Sequence, residues 1–237
     1  MRSFVVRNGR ITPAQEAALE SLMPIYGINF QEDPTHIVRS FTREAPLWIE
    51  IGFGNGDTLL EIATDKTGIN CVGIEVHAPG VGHLLQGIGK RSLNNLRVIR
   101  HDAIEVVEHM IEPASVERIL ILFPDPWPKK RHHKRRLVRQ PVIDALANCL
   151  KPGGVLHCAT DWQPYAEDML EQLSASQLLA NLSDNGDGFS KPPEYRLKTR
   201  FESRGQRLGH QVFDLLFERN AVAASPVTLS PDSGEHN

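Results

Sequence analysis

From residue 47 onward the chain repeats one pattern, a short apolar run of strand length followed by a stretch with helical spacing of its apolar residues. The runs are LWIEI (47 to 51), NCVGIE (70 to 75), LRVIR (96 to 100), RILILF (118 to 123) and GVLHCATD (154 to 161). Segments such as DTLLEIATDK and QPVIDALANCL lie between them and carry the three- and four-residue periodicity of amphipathic helices. Five strands, each followed by a helical crossover, specify an α/β chain with a parallel, doubly wound sheet and helices on both faces. Ligands of such sheets bind at the carboxyl ends of the strands, around the point where strand order reverses.

The strand ends therefore hold the informative residues. After the first run comes IEIGFGNGDTLL, with Gly52, Gly54 and Gly56 leading into a helix. Glycines there permit a tight turn and close approach of backbone to a ligand. The spacing is G-x-G-x-G rather than the G-x-G-x-x-G of dinucleotide sites, and Asp57 would oppose a pyrophosphate. NAD is disfavoured on both counts. Glu50 sits two residues before the first glycine, Glu75 ends the second run nineteen residues after Gly56, and Asp102 follows the third run. A carboxylate at the position of Glu75 can accept both hydroxyls of a ribose, and Asp102 can meet an adenine amino group. Three acids and a free ribose diol suit a cationic nucleoside, and S-adenosylmethionine is such a ligand. A lone glycine turn is ordinary loop chemistry; the order of these features on consecutive strands gives the reading its weight.

The fourth run ends in FPDPWPKKRHHKRR, residues 123 to 136. Asp125 stands between two prolines, which fix φ on either side and stiffen the carboxylate at the sheet edge. Trp127 offers a flat face suited to stacking on a base. Lys129, Lys130, Arg131, Lys134, Arg135, Arg136 and Arg139 follow in a window without Asp or Glu, in a chain of net charge -3. Setting those seven aside leaves 19 basic against 29 acidic side chains, so the surface is dipolar and the place of the bases matters more than their number. A charge run is commonly just a solvated helix face. Seven like charges beside a predicted reaction centre point instead to a polyanionic substrate, with salt-dependent binding. His132 and His133 lack the spacing and partners of a metal site, and no metal is expected.

The 237-residue chain has 41% hydrophobic and 23% charged residues, enough for one substantial core. Cys71, Cys149 and Cys158 are odd in number and set in apolar surroundings, and read as buried free thiols in a reducing cytosol. No apolar stretch reaches the roughly 20 residues that span a bilayer, and MRSFVVRNGR has no signal-peptide core, so a cytoplasmic protein is expected. Residues 1–40 read as a basic arm with a short helix, 41–220 as the catalytic domain and 221–237 as a disordered tail. Oligomeric state is not readable from the pattern.

The strings IEIGFGNGDTLLEIA, GIEVHAPGVG, FPDPWPKKRHHKRRL, ATDW and TRFESRGQRLGH, in that order, with NGRITPAQ near the start, resemble the bacterial tRNA (guanine-N7)-methyltransferase family over nearly all of residues 1 to 218. Phe213 stands where many relatives have tryptophan, a difference without bearing on the assignment. The resemblance implies a class I methyltransferase fold with a seven-stranded, mostly parallel sheet. It further implies S-adenosylmethionine as methyl donor and the guanine at position 46 in the variable loop of tRNA as acceptor. Glu50, Glu75 and Asp102 match the family's cofactor contacts, and Asp125 matches both a cofactor contact and its catalytic acid. Lys129 and Asp161, with Thr199, Arg200, Phe201 and Glu202, match substrate-contacting positions. The run Arg131, His132, His133, Lys134, Arg135 and Arg136 matches its RNA-binding stretch. Two rivals remain open at this point: methylation of another RNA guanine, and a non-catalytic RNA-binding protein on the same fold.

Overall fold

The computed structural model describes residues 10–196 and 211–221. Helix α1 (Pro13–Tyr26) and the short α2 (His36–Arg39) precede β1 (Leu47–Ile51). There follow α3 (Asp57–Asp65), β2 (Asn70–Ile74), α4 (Ala78–Arg91), β3 (Leu96–Ile99), α5 (Ala103–His109) and β4 (Val116–Leu122). A 3-10 turn at Lys130–Arg135 leads to α6 (Val142–Cys149), β5 (Leu150–Thr160), α7 (Gln163–Ser174), β6 (Leu179–Asn181) and β7 (Phe213–Arg219).

The seven strands form one sheet in the order β3-β2-β1-β4-β5-β7-β6. Strands β1 to β5 run parallel to one another, and β7 is antiparallel to both β5 and β6. The order reverses between β1 and β4, so the switch point lies where Gly52 and Asp125 leave their strands. Successive strand residues feed two cores. Ile49, Ile51, Val72, Ile74, Ile119 and Ile121 pack with side chains of α5, α6 and α7. Trp48, Cys71, Val98, Leu120 and Leu122 face α1, α3 and α4 on the other side. Helices thus cover both faces of the sheet, and the apolar runs lack alternation because neither face is wet.

Two departures from the sequence reading have plain causes. Residues 1–40 were expected as a basic arm with a short helix, and their described part holds a longer helix that packs on the sheet. Thr12 caps α1, its Oγ1 accepting from Gln15 N–H at 3.3 Å while Gln15 Oε1 accepts from Thr12 N–H at 2.9 Å, and the helix runs fourteen residues. Beyond it, Gly27 bridges to Val98, and Ile28, Ile37 and Phe41 join the core, so no boundary falls at residue 40. Strand β6, three residues long, is too short to register as a periodic pattern. The stretch 222–237, expected as a tail, lies outside the described residues. Cys71, Cys149 and Cys158 are buried and free, and burial pushes each thiol up to about 12.

Candidate active site

The loop after β1 turns through three consecutive left-handed glycines, Gly52 (φ 71°), Gly54 (φ 58°) and Gly56 (φ 77°). Side chains with a Cβ resist that conformation, which is why the sequence spaces glycines two apart there. Glu75, just past β2, holds the loop in place. Its Oε2 accepts from Gly54 N–H at 3.0 Å, and its Oε1 accepts from the N–H groups of Val76 (2.7 Å) and His77 (3.0 Å). Gly80 in α4 completes the packing, since a Cβ there would lie 2.0 Å from Gly54 O.

A cleft of about 250 Å³ opens over this loop, at the carboxyl ends of the strands. Gly52 and Glu75 line it from one side, Phe123, Asp125 and Trp127 from the other, with Ala103 and Leu137 adding apolar wall. Asp102 caps α5 through Ile104 N–H at 3.0 Å and sets Ala103 against the cleft; its own carboxylate is not among the lining groups. Beneath the loop, Glu50 is 3% exposed, and its Oε2 meets no hydrogen-bond partner. Burial, reinforced by the Glu75 charge, pushes its carboxyl up to about 8. A buried oxygen without a donor is costly, and a ligand ammonium or hydroxyl would relieve it. That acid with its orphaned Oε2, the Glu75 carboxylate and the glycine turn fit a cationic nucleoside such as S-adenosylmethionine, which Glu50, Glu75 and the loop around Gly52, Gly54 and Gly56 would hold.

The Asp125 segment is conformationally unusual. Phe123 (φ 53°) and Trp127 (φ 45°) both sit in the left-handed region, where a bulky residue costs about 1–3 kcal/mol. The surroundings hold them there. Phe123 N–H donates to Ala159 O at 2.8 Å, continuing the β4–β5 ladder past Leu122, and Arg136 Nε donates to Pro126 O at 3.0 Å. Asp125 itself is exposed at the cleft's rim. Asp161, also exposed, follows the last residue of neighbouring β5, which puts it at the same sheet edge.

The basic run divides. Lys129, Lys130, Arg131 and Lys134 are exposed. Trp127 is flanked edge-on by His132, with ring centroids 5.8 Å apart, and the Arg135 guanidinium lies over its ring at 5.1 Å. His133 is half-buried. Desolvation, aided by the charges of Arg131, Arg135 and Lys129, lowers the His132 pKa. Arg136 stands apart from the rest of the run: it is 3% exposed, and its Nη1 is paired with Asp168 Oδ2 at 2.8 Å. Its guanidinium is turned into the fold, and charge in a run does not say which member turns inward.

A polar network centred on the buried His157 and Asp214 also escaped the sequence reading. Arg118 Nη1 donates to Tyr195 Oη at 2.6 Å, Tyr195 Oη lies 3.1 Å from His157 Nδ1, and His157 Nε2 lies 2.8 Å from Asp214 Oδ1. Arg196 Nε also pairs with Asp214 Oδ1, at 2.6 Å. Desolvation lowers the His157 pKa despite the Asp214 hydrogen bond, favouring a neutral ring whose Nε2–H donates to Asp214. The four contacts join β4, β5, β7 and the residues that enter 197–210. Thr199, Arg200, Phe201 and Glu202 fall in that stretch, outside the described residues. The partners are up to 77 positions apart in sequence, so no local motif announces them.

Among the described residues no helix is long and apolar enough to cross a membrane, and no group of three His, Cys, Asp or Glu could hold a metal. Residues 44–215 match the model of a family described as "Putative methyltransferase". The tRNA (guanine-N(7)-)-methyltransferase of Paracidovorax citrulli (strain AAC00-1) is 51% identical over 93% of this chain and 88% of its own. That of Yersinia pestis (strain Pestoides F) is 50% identical over 92% and 91%. Among solved structures, the 16S rRNA methyltransferase KamB superposes with a TM-score of 0.58 at 14% identity, covering 81% of this chain and 95% of its own. The antibiotic-resistance methyltransferase Kmr gives 0.54 at 12%, over 83% and 96%. Both likenesses concern the fold, whereas half-identity along almost the whole length is a statement of kinship: the chain belongs to the tRNA (guanine-N(7)-)-methyltransferase family.

Proposed function

We propose that this protein transfers a methyl group from S-adenosylmethionine to N7 of the guanine at position 46 of tRNA, and that it does so in the cytoplasm, where tRNA is found. The observation that carries the reading is a cleft shared by Glu75 and Asp125, with Glu50, whose Oε2 is buried and without a partner, in the strand that leads to it and a basic segment following its rim. The names of the half-identical relatives support the base and the atom; position 46 rests on the motif resemblance.

When bound, S-adenosylmethionine would supply an electrophilic methyl group, which guanine N7 can take with its in-plane lone pair and without prior deprotonation, the methyl–sulfur bond breaking with its electrons to leave neutral S-adenosylhomocysteine. A strong general base is therefore unnecessary. Glu50 and Glu75 hold the donor's cationic and hydroxyl groups, the glycine turn lets it approach the backbone, and Asp102 sets the wall beside it. Asp125 accepts from the N1–H and amino edge of guanine and places negative charge near the purine as positive charge develops there. Asp161, at the same sheet edge, can accept from that edge too. The strained, clamped loop around Asp125 keeps its carboxylate aligned without reorganisation during the reaction. Lys129 and the exposed cations Lys130, Arg131 and Lys134 hold phosphates, and Arg135, lying over the Trp127 ring, steadies its orientation for a base. Thr199, Arg200, Phe201 and Glu202 belong to the substrate side by motif.

Labelled methyl transfer to unmodified tRNA transcripts carrying guanine or adenine at position 46 tests the site. Label on the guanine transcript alone is expected; equal label on both would place the acceptor elsewhere.

A further inference from the structure

Arg135 and Arg136 are neighbours in sequence and opposites in structure. Arg135 lies over the indole of Trp127, while Arg136 passes beneath the same loop and is closed on three sides. Its Nε donates to Pro126 O at 3.0 Å, its Nη1 to Asp168 Oδ2 of α7 at 2.8 Å, and its guanidinium lies 4.5 Å from the centroid of the Tyr165 ring. Tyr165 is fully buried, and its hydroxyl accepts from Val138 N–H at 3.4 Å, so the plate on which Arg136 rests is itself fixed. The carbonyl that Arg136 holds belongs to the residue directly after Asp125, inside a segment with two bulky left-handed residues. Such a segment keeps its shape only where its surroundings over-determine it.

We propose that Arg136 is a positioning residue for methyl transfer: it ties the Pro126 carbonyl to α7, so that Asp125 stands at its place in the cleft before tRNA arrives. Asp168 and Tyr165 hold Arg136 for that task. An arginine is required because one planar fork must reach a carbonyl and a carboxylate at once, which an ammonium cannot do from the same stem. Pro124 and Pro126 stiffen the segment from within and Arg136 anchors it from below. The cations that hold tRNA are then the outward ones, and the inward one works through the position of Asp125. The proposal rests on the reading of Asp125 given above.

The test compares Arg136→Lys, Arg136→Gln and Asp168→Asn with Lys134→Gln, each folded sample normalised to its cofactor-binding sites. Single-turnover methylation at saturating tRNA is read beside tRNA affinity across a salt series. The Arg136 and Asp168 variants are expected to lose roughly 10- to 100-fold in the methyl-transfer rate, with tRNA affinity and its salt slope held at wild-type values. Lys134→Gln is expected to weaken tRNA binding and lower the salt slope by about one. Arg136→Lys and Asp168→Asn keep the proposal testable should Arg136→Gln fail to fold. A wild-type rate in Arg136→Lys, or a salt slope reduced by about one in Arg136→Gln with the rate preserved, overturns it. A wild-type protein that methylates no tRNA would remove the underlying reading and this one together.

Discussion

The backbone N–H of Gly54 donates to Glu75 Oε2 at 3.0 Å, so the turn after β1 is fastened to the end of β2 by one side chain. The same carboxylate serves two further N–H groups and lines the cleft. Glu75→Ala should therefore weaken S-adenosylmethionine binding by at least about 100-fold, because both the ligand's acceptor and the loop's anchor vanish and each charge-assisted bond contributes about 1.5–3 kcal/mol. Titration calorimetry on a sample with a cooperative melt checks this. Affinity within about twofold of wild type would remove Glu75 from the site.

Gly80 lets α4 pass close under that turn. In Gly80→Ala the new Cβ would meet Gly54 O at 2.0 Å, and backbone cannot yield as a flexible side chain can. A loss of about 1–3 kcal/mol in stability is expected, together with weaker cofactor binding as Gly54 is displaced. Gly68→Ala, where nothing lies within 4 Å of the added carbon, should stay within about 0.5 kcal/mol. Denaturant melts of the two variants side by side decide the matter, and equal stability would contradict the close approach.

Glu50 makes stability depend on pH in a stated direction. Its carboxyl is raised from an ordinary value near 4.5 to about 8 in the folded chain, so the native state holds the proton more tightly than the unfolded state. The contribution is full below about pH 4.5 and is lost as pH rises through about 8, by up to the order of 4 kcal/mol. His157 has a lowered pKa and works the other way, gaining stability as pH rises towards 6.5, so the comparison must be made against a variant. Between pH 5 and 9 the cofactor-free wild type should lose melting temperature relative to Glu50→Gln. Parallel curves would show that Glu50 is not buried as a proton-binding acid.

Asp125 separates charge from hydrogen bonding. Asp125→Ala should reduce methyl transfer to background while cofactor affinity is at most partly weakened. Asp125→Asn keeps an acceptor oxygen but not the charge, and an intermediate rate, about 10- to 100-fold below wild type, is expected. Single-turnover rates at saturating tRNA measure both, and near-normal turnover in the alanine variant would take Asp125 out of the mechanism.

The parallel sheet and its ligand edge were legible because five strands buried on both faces leave unbroken apolar runs, and because Gly52, Gly54 and Gly56 punctuate the first of them. Helix α1 was expected only as a short helix within a basic arm, without its bounds, although Thr12 and Gln15 form a capping box, since its apolar spacing is weak and Pro24 interrupts it. Strand β6 exists only by pairing with β7, a partner more than thirty residues away. Glu50 and Glu75 could be read from their places at strand ends. That Glu50 would be orphaned, that Arg136 would turn inward and that His157 would meet Asp214 depend on contacts between distant segments, which no local pattern encodes.

The central claim is that N7 of one tRNA guanine receives the methyl group. It is tested most directly by offering labelled S-adenosylmethionine and two tRNA transcripts that differ only at position 46, guanine in one and 7-deazaguanine in the other. Incorporation into the guanine transcript, lost on deaza substitution, is the predicted result. Equal labelling of both would contradict the assignment of acceptor atom and site together.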